Sequence, residues 1–188
     1  MTSRTLYIGD VFAAREPTEL TTVVGSCIAV CLIDPHRGVG GMNHFMLPAP
    51  GPGRSVTSDR ARFGVHAMDL LMGAMLKAGA DRRAVVAKMF GGAHVLRVPE
   101  SARSIPQCNI RFIEEFMAVE GIRVVSCDLG GYLPRRLRFQ TDTGKVYVRH
   151  LGQKALHQTR VEEREHLAVI RRSAPPKPDV TLFPVEGA

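Results

Sequence analysis

The sequence lacks the features that mark several classes of protein. No uninterrupted apolar run reaches the roughly 18 residues that a membrane-spanning helix needs. The first ten residues also lack the long apolar stretch of a secretory signal. We therefore expect a cytoplasmic protein that does not insert into a membrane. With 45% hydrophobic and 23% charged residues in a chain of 188, the composition indicates a globular domain with a core.

Cysteine is scarce, and its spacing argues against both disulfides and zinc. The four cysteines are Cys27, Cys31, Cys108 and Cys127, too few and too scattered for a disulfide scaffold. Cys27 and Cys31 lie in a segment rich in β-branched residues. On a strand they would be about 13 Å apart, at ~3.3 Å per residue. Two such thiols cannot share one zinc ion with bonds of about 2.3 Å, so we expect no metal site.

Aromatic residues are also few, at 6%, while the net charge is +7. The basic residues form short doublets rather than long runs, and aromatic residues do not alternate with them as in an RNA-binding sheet. A basic surface without these motifs favours an acidic protein partner over nucleic acid.

Hydrophobic periodicity predicts more strands than helices. Expected strands cover residues 4–9, 21–33 (as one strand or two), 39–47, 84–90, 122–128, 136–140 and 145–150. Expected helices cover about Asp59–Ala78, with Ser58 as N-cap, and Ile110–Glu120, with Asn109 as possible cap and Gly121 as stop. Partly hairpin-linked strands with few helices indicate an α+β fold.

Two other segments are expected to be irregular. Pro48–Gly53 is rich in proline and glycine and predicts a loop. From about Glu162 the pattern suggests a short helix that continues into an extended, proline-rich tail.

One thiol and one imidazole stand on two neighbouring predicted strands. If residues 22–33 and 39–47 form a hairpin whose turn centres between Pro35 and His36, Cys27 lies directly opposite His44. Directly opposite side chains share a face, with β-carbons about 4.5–5.5 Å apart. A register shift of two residues would leave the pair diagonal, whereas a shift of one would put the side chains on opposite faces.

This pair suggests nucleophilic acyl chemistry. Cys27 would be the nucleophile, and His44 the general base and acid. The small Gly25-Ser26 pair before the thiol lets backbone amides and a substrate approach closely, so amides there could stabilise an oxyanion. Thr21 could orient the imidazole through its hydroxyl. The alternative is that Cys27 is a small core residue and His44 a hydrogen-bonded strand histidine, and the residue types alone leave both open.

Longer blocks around this pair carry a resemblance to a known family. The strongest run from Gly25 to Asp34 and from Gly40 to Pro48, and shorter ones are Arg62–Gly64, Ala87–Ala93 and Asp128–Gly131. Over about residues 5–152 the chain resembles the CheD family, the chemoreceptor glutamine deamidases of bacterial chemotaxis. It departs from the family pattern at 105–109 and 132–136.

The resemblance implies hydrolysis of chemoreceptor glutamine amides to glutamate and ammonia through a thioester. By motif match the nucleophile is Cys27, the catalytic histidine is His44 and the third catalytic residue is Thr21, with no cofactor. The implied fold is a β-sandwich core flanked by helices (α/β/β/α), similar to the catalytic domain of cytotoxic necrotizing factor toxins.

The resemblance also implies partners and a domain boundary. The expected partners are the chemoreceptor cytoplasmic domain and a CheC-type phosphatase. Residues 1–160 would form the deamidase domain, and 161–188 a C-terminal extension outside the resemblance, to which no function is assigned. Two other functions remain open: a non-catalytic chemotaxis adaptor that binds receptor or phosphatase, and a receptor glutamate methylesterase.

Overall fold

The computed structural model describes residues 2–47, 58–95 and 104–172. These ranges contain nine strands and three helices. In chain order they are β1 (Thr2–Thr5), β2 (Val11–Ala14), β3 (Thr18–Val24), β4 (Ile28–Asp34), β5 (Val39–Phe45), α1 (Ser58–Lys77), β6 (Val86–Gly91), α2 (Ile105–Val119), β7 (Arg123–Leu129), β8 (Arg135–Gln140), β9 (Val146–His150) and α3 (Gln153–Arg172).

The strands form two mixed sheets, which confirms the α+β class. One sheet has five strands in the order β2-β5-β4-β6-β7, and the other has four in the order β1-β3-β8-β9. Two pairs, β1 with β3 and β6 with β7, are parallel, and the other pairs are antiparallel. Within the described ranges, no helix combines the length and hydropathy that a membrane span requires.

Strand β4 lies at the centre of the five-stranded sheet and is buried along its whole length. On one face, Ile28, Val30 and Leu32 share a core with apolar residues of α1 and α2. On the other, Ala29 and Cys31 share a second core with β3 and β8 of the four-stranded sheet. Burial of both faces explains why β4 is a continuous apolar run rather than an alternating one.

The β4–β5 hairpin forms as expected, but its register differs by two residues from the predicted one. His44 pairs with Ala29 rather than with Cys27, and Asp34 pairs with Val39. The loop therefore centres between His36 and Arg37, one residue later than expected. The Asp34 carboxylate accepts the amides of His36 and Arg37, at 3.0 and 3.2 Å, and so stabilises this longer loop.

Helix α2 begins earlier than predicted. It starts at Ile105 after Ser104 as N-cap, so Asn109 lies inside the helix and is not its cap. The early start includes a proline, Pro106, in the first turn, where its missing amide costs no helical hydrogen bond. Helix α1 matches the expected span closely, and its buried methionines pack in the core.

The chain after residue 150 also departs from expectation. Helix α3 runs from Gln153 to Arg172, so it begins earlier and is longer than the short helix expected from about Glu162. The proline-rich tail and the Pro48–Gly53 loop lie outside the described residues.

The short strand β2, which pairs with β5, was not predicted.

Candidate active site

Cys27 lies at the corner where the chain leaves the four-stranded sheet at the end of β3 and enters the five-stranded sheet at β4. The end of β6 holds this corner. The amide of Gly92 donates to the Cys27 carbonyl at 2.8 Å, and the amide of Ala93 donates to the Gly25 carbonyl at 2.7 Å. A β-carbon on Gly91 would lie 2.1 Å from the Cys27 carbonyl oxygen, so only glycine fits there.

Asn109 braces the same corner from α2. Its side-chain amide donates to the Ser26 carbonyl at 2.7 Å, and its side-chain oxygen accepts the Leu47 amide at 2.8 Å. The residue is fully buried. Reasoning from the sequence considered only a capping function for Asn109; a polar residue on the apolar face of a helix is the signal that could have identified it.

His44 is buried on β5, and its ring is oriented by Thr22. The Thr22 hydroxyl donates to the Leu6 carbonyl at 2.8 Å and lies 2.9 Å from Nδ1 of His44. Because a hydroxyl has one hydrogen and Leu6 receives it, the hydroxyl oxygen must accept from Nδ1–H. We therefore assign the Nδ1–H tautomer, which leaves Nε2 as a proton acceptor.

The other ring nitrogen is a free acceptor, but burial makes the imidazole a weak base in this arrangement. Nε2 of His44 is buried and has no hydrogen-bond partner among the described residues. Burial, together with the nearby His166, lowers the pKa of His44 to about 3. The ring is therefore neutral at physiological pH, with Nε2 as its free acceptor, and a more solvated site would make it a stronger base.

Thr21, one residue earlier on β3, points the other way because side chains alternate along a strand. Its hydroxyl lies 3.0 Å from that of Thr5, and the residue lines the same cavity as Cys27 and His44. The hydroxyl that contacts the imidazole thus belongs to Thr22 rather than to Thr21. Thr22 stands two residues from both Leu20 and Val24, which share its buried face, and this period-two spacing is the sequence signal for the assignment.

The Cys27 thiol contacts a carboxylate that the sequence analysis did not include. Glu163 of α3, only 1% exposed, has its Oε1 3.3 Å from Sγ of Cys27. The same oxygen accepts the amide of Ser26 at 2.7 Å and, more weakly, that of Cys27 at 3.4 Å. The Ser26 hydroxyl donates to Oε2 at 2.5 Å.

These surroundings oppose ionisation of the thiol. Burial and the adjacent Glu163 raise the pKa of Cys27. Burial also raises the pKa of Glu163, although four hydrogen bonds from Ser26 and Cys27 act in the opposite direction. In the arrangement with α3 in place, Cys27 is a protonated thiol rather than the thiolate that a nucleophile needs.

Cys27 and His44 line one cavity of about 610 Å³. Its walls come from β1, β3, β8 and α3, and its charged lining residues are Arg136, Arg138, Glu162, Glu163 and Glu165. In the three described segments, no group of three or more His, Cys, Asp and Glu side chains could hold a metal ion.

Comparison with known proteins gives a consistent result. Residues 46–150 match a family model described as CheD chemotactic sensory transduction. The chain is 41% identical to a probable chemoreceptor glutamine deamidase CheD 1 of Shewanella oneidensis, over 93% of this chain and 84% of that protein. It is 37% identical to a probable chemoreceptor glutamine deamidase CheD of Hydrogenovibrio crunogenus, over 97% and 95% of the two chains. A third similar protein, from Bordetella petrii and with the same description, is 43% identical over 86% and 72%.

Proposed function

Because the chain belongs to the CheD family, we propose that it hydrolyses the side-chain amide of glutamine residues in chemoreceptors, giving glutamate and ammonia. The observation that carries the chemistry is one cavity lined by a thiol and by a neutral imidazole with a free Nε2. The chain is accordingly a protein-glutamine deamidase, a cysteine amidohydrolase that needs no metal or cofactor.

The first half of the reaction forms a thioester. Nε2 of His44 takes the thiol proton, and Sγ of Cys27 attacks the amide carbon of the substrate. The developing oxyanion is stabilised by the backbone amides of Ser26 and Cys27, which already bind a carboxylate oxygen in this structure. The imidazolium then gives its proton to the departing nitrogen, and ammonia leaves.

The second half releases the product. His44, neutral again, takes a proton from water, which attacks the thioester carbon. The C–S bond breaks, the thiol recovers its proton and glutamate leaves. The sum is one glutamine amide and one water converted to one glutamate and one ammonia.

Two threonines have separate functions in this proposal. Thr22 is a positioning residue, since its hydroxyl fixes the orientation and tautomer of His44. Thr21 is kept as the third catalytic residue, and its place in the cavity wall supports contact with the substrate.

The proposal extends to location, partners and structural relatives. We place the protein in the cytoplasm, with the chemoreceptor cytoplasmic domain as substrate and a CheC-type phosphatase as second partner. The net charge of +7 supports docking to an acidic receptor surface, weakened by salt. Two packed sheets with helices α1 and α2 on one face support a relationship to the catalytic domain of cytotoxic necrotizing factor toxins.

Replacement of the nucleophile tests the function. Purified chemoreceptor cytoplasmic domain is incubated with wild type, Cys27→Ala or Cys127→Ala, and glutamine-to-glutamate conversion is followed by peptide mass spectrometry. We expect Cys27→Ala to lose activity by about a thousandfold or more. The exposed Cys127 serves as matched control and should be dispensable.

Other outcomes would replace the proposal. Full conversion by Cys27→Ala would show that the thiol is not the nucleophile. If wild type binds the receptor but converts no glutamine, the adaptor function is favoured. Release of methanol from receptor glutamyl esters, without ammonia from glutamines, would favour the methylesterase.

A further inference from the structure

The buried face of α3 carries two leucines with the polar residues Thr159 and Glu163 between them. Leu156 and Leu167 pack in a cluster that includes Cys27 and Val95. Between these two leucines, on the same helix face, stands Glu163. A carboxylate in such a position costs free energy unless it is well hydrogen-bonded, and an apolar residue would pack there at no such cost. Packing of the helix therefore does not account for Glu163.

The contacts of Glu163 are those that the reaction requires of its substrate. Its Oε1 accepts the amides of Ser26 and Cys27, the donors assigned to the oxyanion. The same atom lies 3.3 Å from Sγ of Cys27. Gly25 makes room for it, since a β-carbon there would lie 2.7 Å from Oε1. A glutamate side chain is also what deamidation of glutamine produces.

We propose that α3 is an intramolecular product mimic, in which Glu163 occupies the place of the substrate's glutamine side chain and keeps the enzyme inactive until α3 is displaced. This inference rests on the proposed deamidase function for the identity of the group that Glu163 replaces. The site and the occupant belong to one chain, so the block needs no second molecule.

The docked helix prevents catalysis in two ways. It forms one wall of the cavity and covers the thiol, because its Thr159 and Glu163 both lie where a side chain on Gly25 would be. It also places a carboxylate beside the thiol, which opposes formation of the thiolate. Displacement of α3 removes both obstacles and leaves Nε2 of His44 as the base.

The first test removes the carboxylate in the full chain. Wild type, Glu163→Ala and Arg164→Ala are compared in two assays: deamidation of a chemoreceptor cytoplasmic domain, and alkylation of Cys27 by iodoacetamide. Arg164 is the matched control, because it is a charged residue that is exposed on the same helix and does not line the cavity. Alkylation of the exposed Cys127 provides an internal reference in every sample.

We expect Glu163→Ala to be faster than wild type in both assays, by about tenfold if α3 is docked in nine-tenths of the molecules, and Arg164→Ala to match wild type. If Glu163 were instead a catalytic base, Glu163→Ala would lose receptor deamidation. Equal or lower rates for Glu163→Ala in both assays would overturn the inference.

The second test turns the mimic into a substrate. In Glu163→Gln, the introduced amide should be hydrolysed by Cys27 of the same molecule, at a rate independent of protein concentration. Peptide mass spectrometry would then find glutamate at position 163, with ammonia released in equal amount. The double variant with Cys27→Ala should retain the glutamine. If glutamine persists at position 163 in a Glu163→Gln protein that still deamidates receptor, the assignment of Glu163 to the substrate's place is overturned.

The two proposals fail in different ways. If wild type deamidates receptor but Glu163→Ala is no faster and Glu163→Gln is unchanged, the function stands and the product mimic is wrong. If no variant deamidates receptor but Glu163→Ala alkylates faster at Cys27, α3 covers the thiol and the deamidase proposal is wrong.

Discussion

Two buried carboxylates lie at opposite ends of strand β4 and differ in almost every other respect. At the far end, Asp34 accepts the amides of His36, Arg37 and Asp81, at 2.8 to 3.2 Å. Burial acts to raise the pKa of Asp34, but these amides and the Arg37 charge outweigh it and hold the pKa below its usual value. At the near end, Glu163 also accepts backbone amides, yet its pKa is raised by burial.

The difference shows that the function of a buried carboxylate depends on the segment that carries it as much as on its hydrogen bonds. Asp34 belongs to the strand whose turn it stabilises, so its contacts form with the hairpin itself. Glu163 reaches the active-site corner from a helix far along the chain, and it contacts a thiol as well as amides. We conclude that the first carboxylate is part of the fold and that the second acts as a displaceable ligand.

The largest expected effect in this comparison is on stability at the Asp34 end. Asp34→Asn loses the charge and one acceptor oxygen, which leaves a partly buried amide without its partner. We expect a loss of about 1–3 kcal/mol in the free energy of unfolding, measured by urea denaturation, with the deamidation rate unchanged. Asp69→Asn, at an exposed position on α1, is the control and should change neither. A slower enzyme of unchanged stability would contradict the structural function of Asp34.

The next effect is expected in the rate at the Cys27 end. Thr22→Val removes the hydroxyl that fixes Nδ1–H of His44, so kcat should fall by about tenfold while KM stays unchanged. Thr22→Ser keeps the hydroxyl and should restore kcat. Thr21→Val in the same assay tests the separate proposal that Thr21 contacts the substrate. If Thr22→Val kept full kcat, the tautomer assignment would have no catalytic consequence.

The smallest expected effect is that the two carboxylates change the free energy of unfolding in opposite directions as pH rises. The Asp34 pKa is lowered on folding, so its stability contribution is present above the unfolded value of about 3.9 and is lost as pH falls through the folded pKa. The Glu163 pKa is raised, so its contribution is present below the unfolded value of about 4.3 and is lost as pH rises through the folded pKa.

Urea denaturation across this pH range can measure both slopes. The advantage of wild type over Asp34→Asn should shrink toward acid. The stability of Cys27→Ala relative to the double variant Cys27→Ala/Glu163→Gln should fall toward neutral pH, by at most about 1.4 kcal/mol per pH unit. Both of these proteins lack the Cys27 thiol that contacts position 163, so the introduced glutamine is retained and no thiol titration biases the comparison. Slopes of the same sign would show that the two carboxylates are not in contrasting environments.

Much of the fold followed from local pattern. The apolar run of β4, the turn after Asp34 and the methionine-rich face of α1 are all short-range signals, and the structure confirms the elements they predicted. The hairpin register did not follow, because it depended on the number of residues in the loop. A side-chain contact that lengthened the loop shifted Ala29, rather than Cys27, opposite His44.

The active site was only partly predictable for a related reason. A motif around Cys27 and His44 marks the two residues to which the proposed reaction assigns catalysis. The partners of these residues are long-range. Glu163 and Asn109 reach the corner from distant helices, and no periodicity in either helix says what its polar side chain touches.

The close contact between β6 and the Cys27 carbonyl has a consequence for recognising distant relatives. Because a methyl group at Gly91 would collide with that oxygen, the placement of Cys27 requires a glycine on β6, a strand well separated from it in sequence. Gly91 therefore serves as a second signature of the proposed nucleophile. In a genome search, a chain with the cysteine motif but a bulky residue in place of Gly91 must hold its thiol in another way.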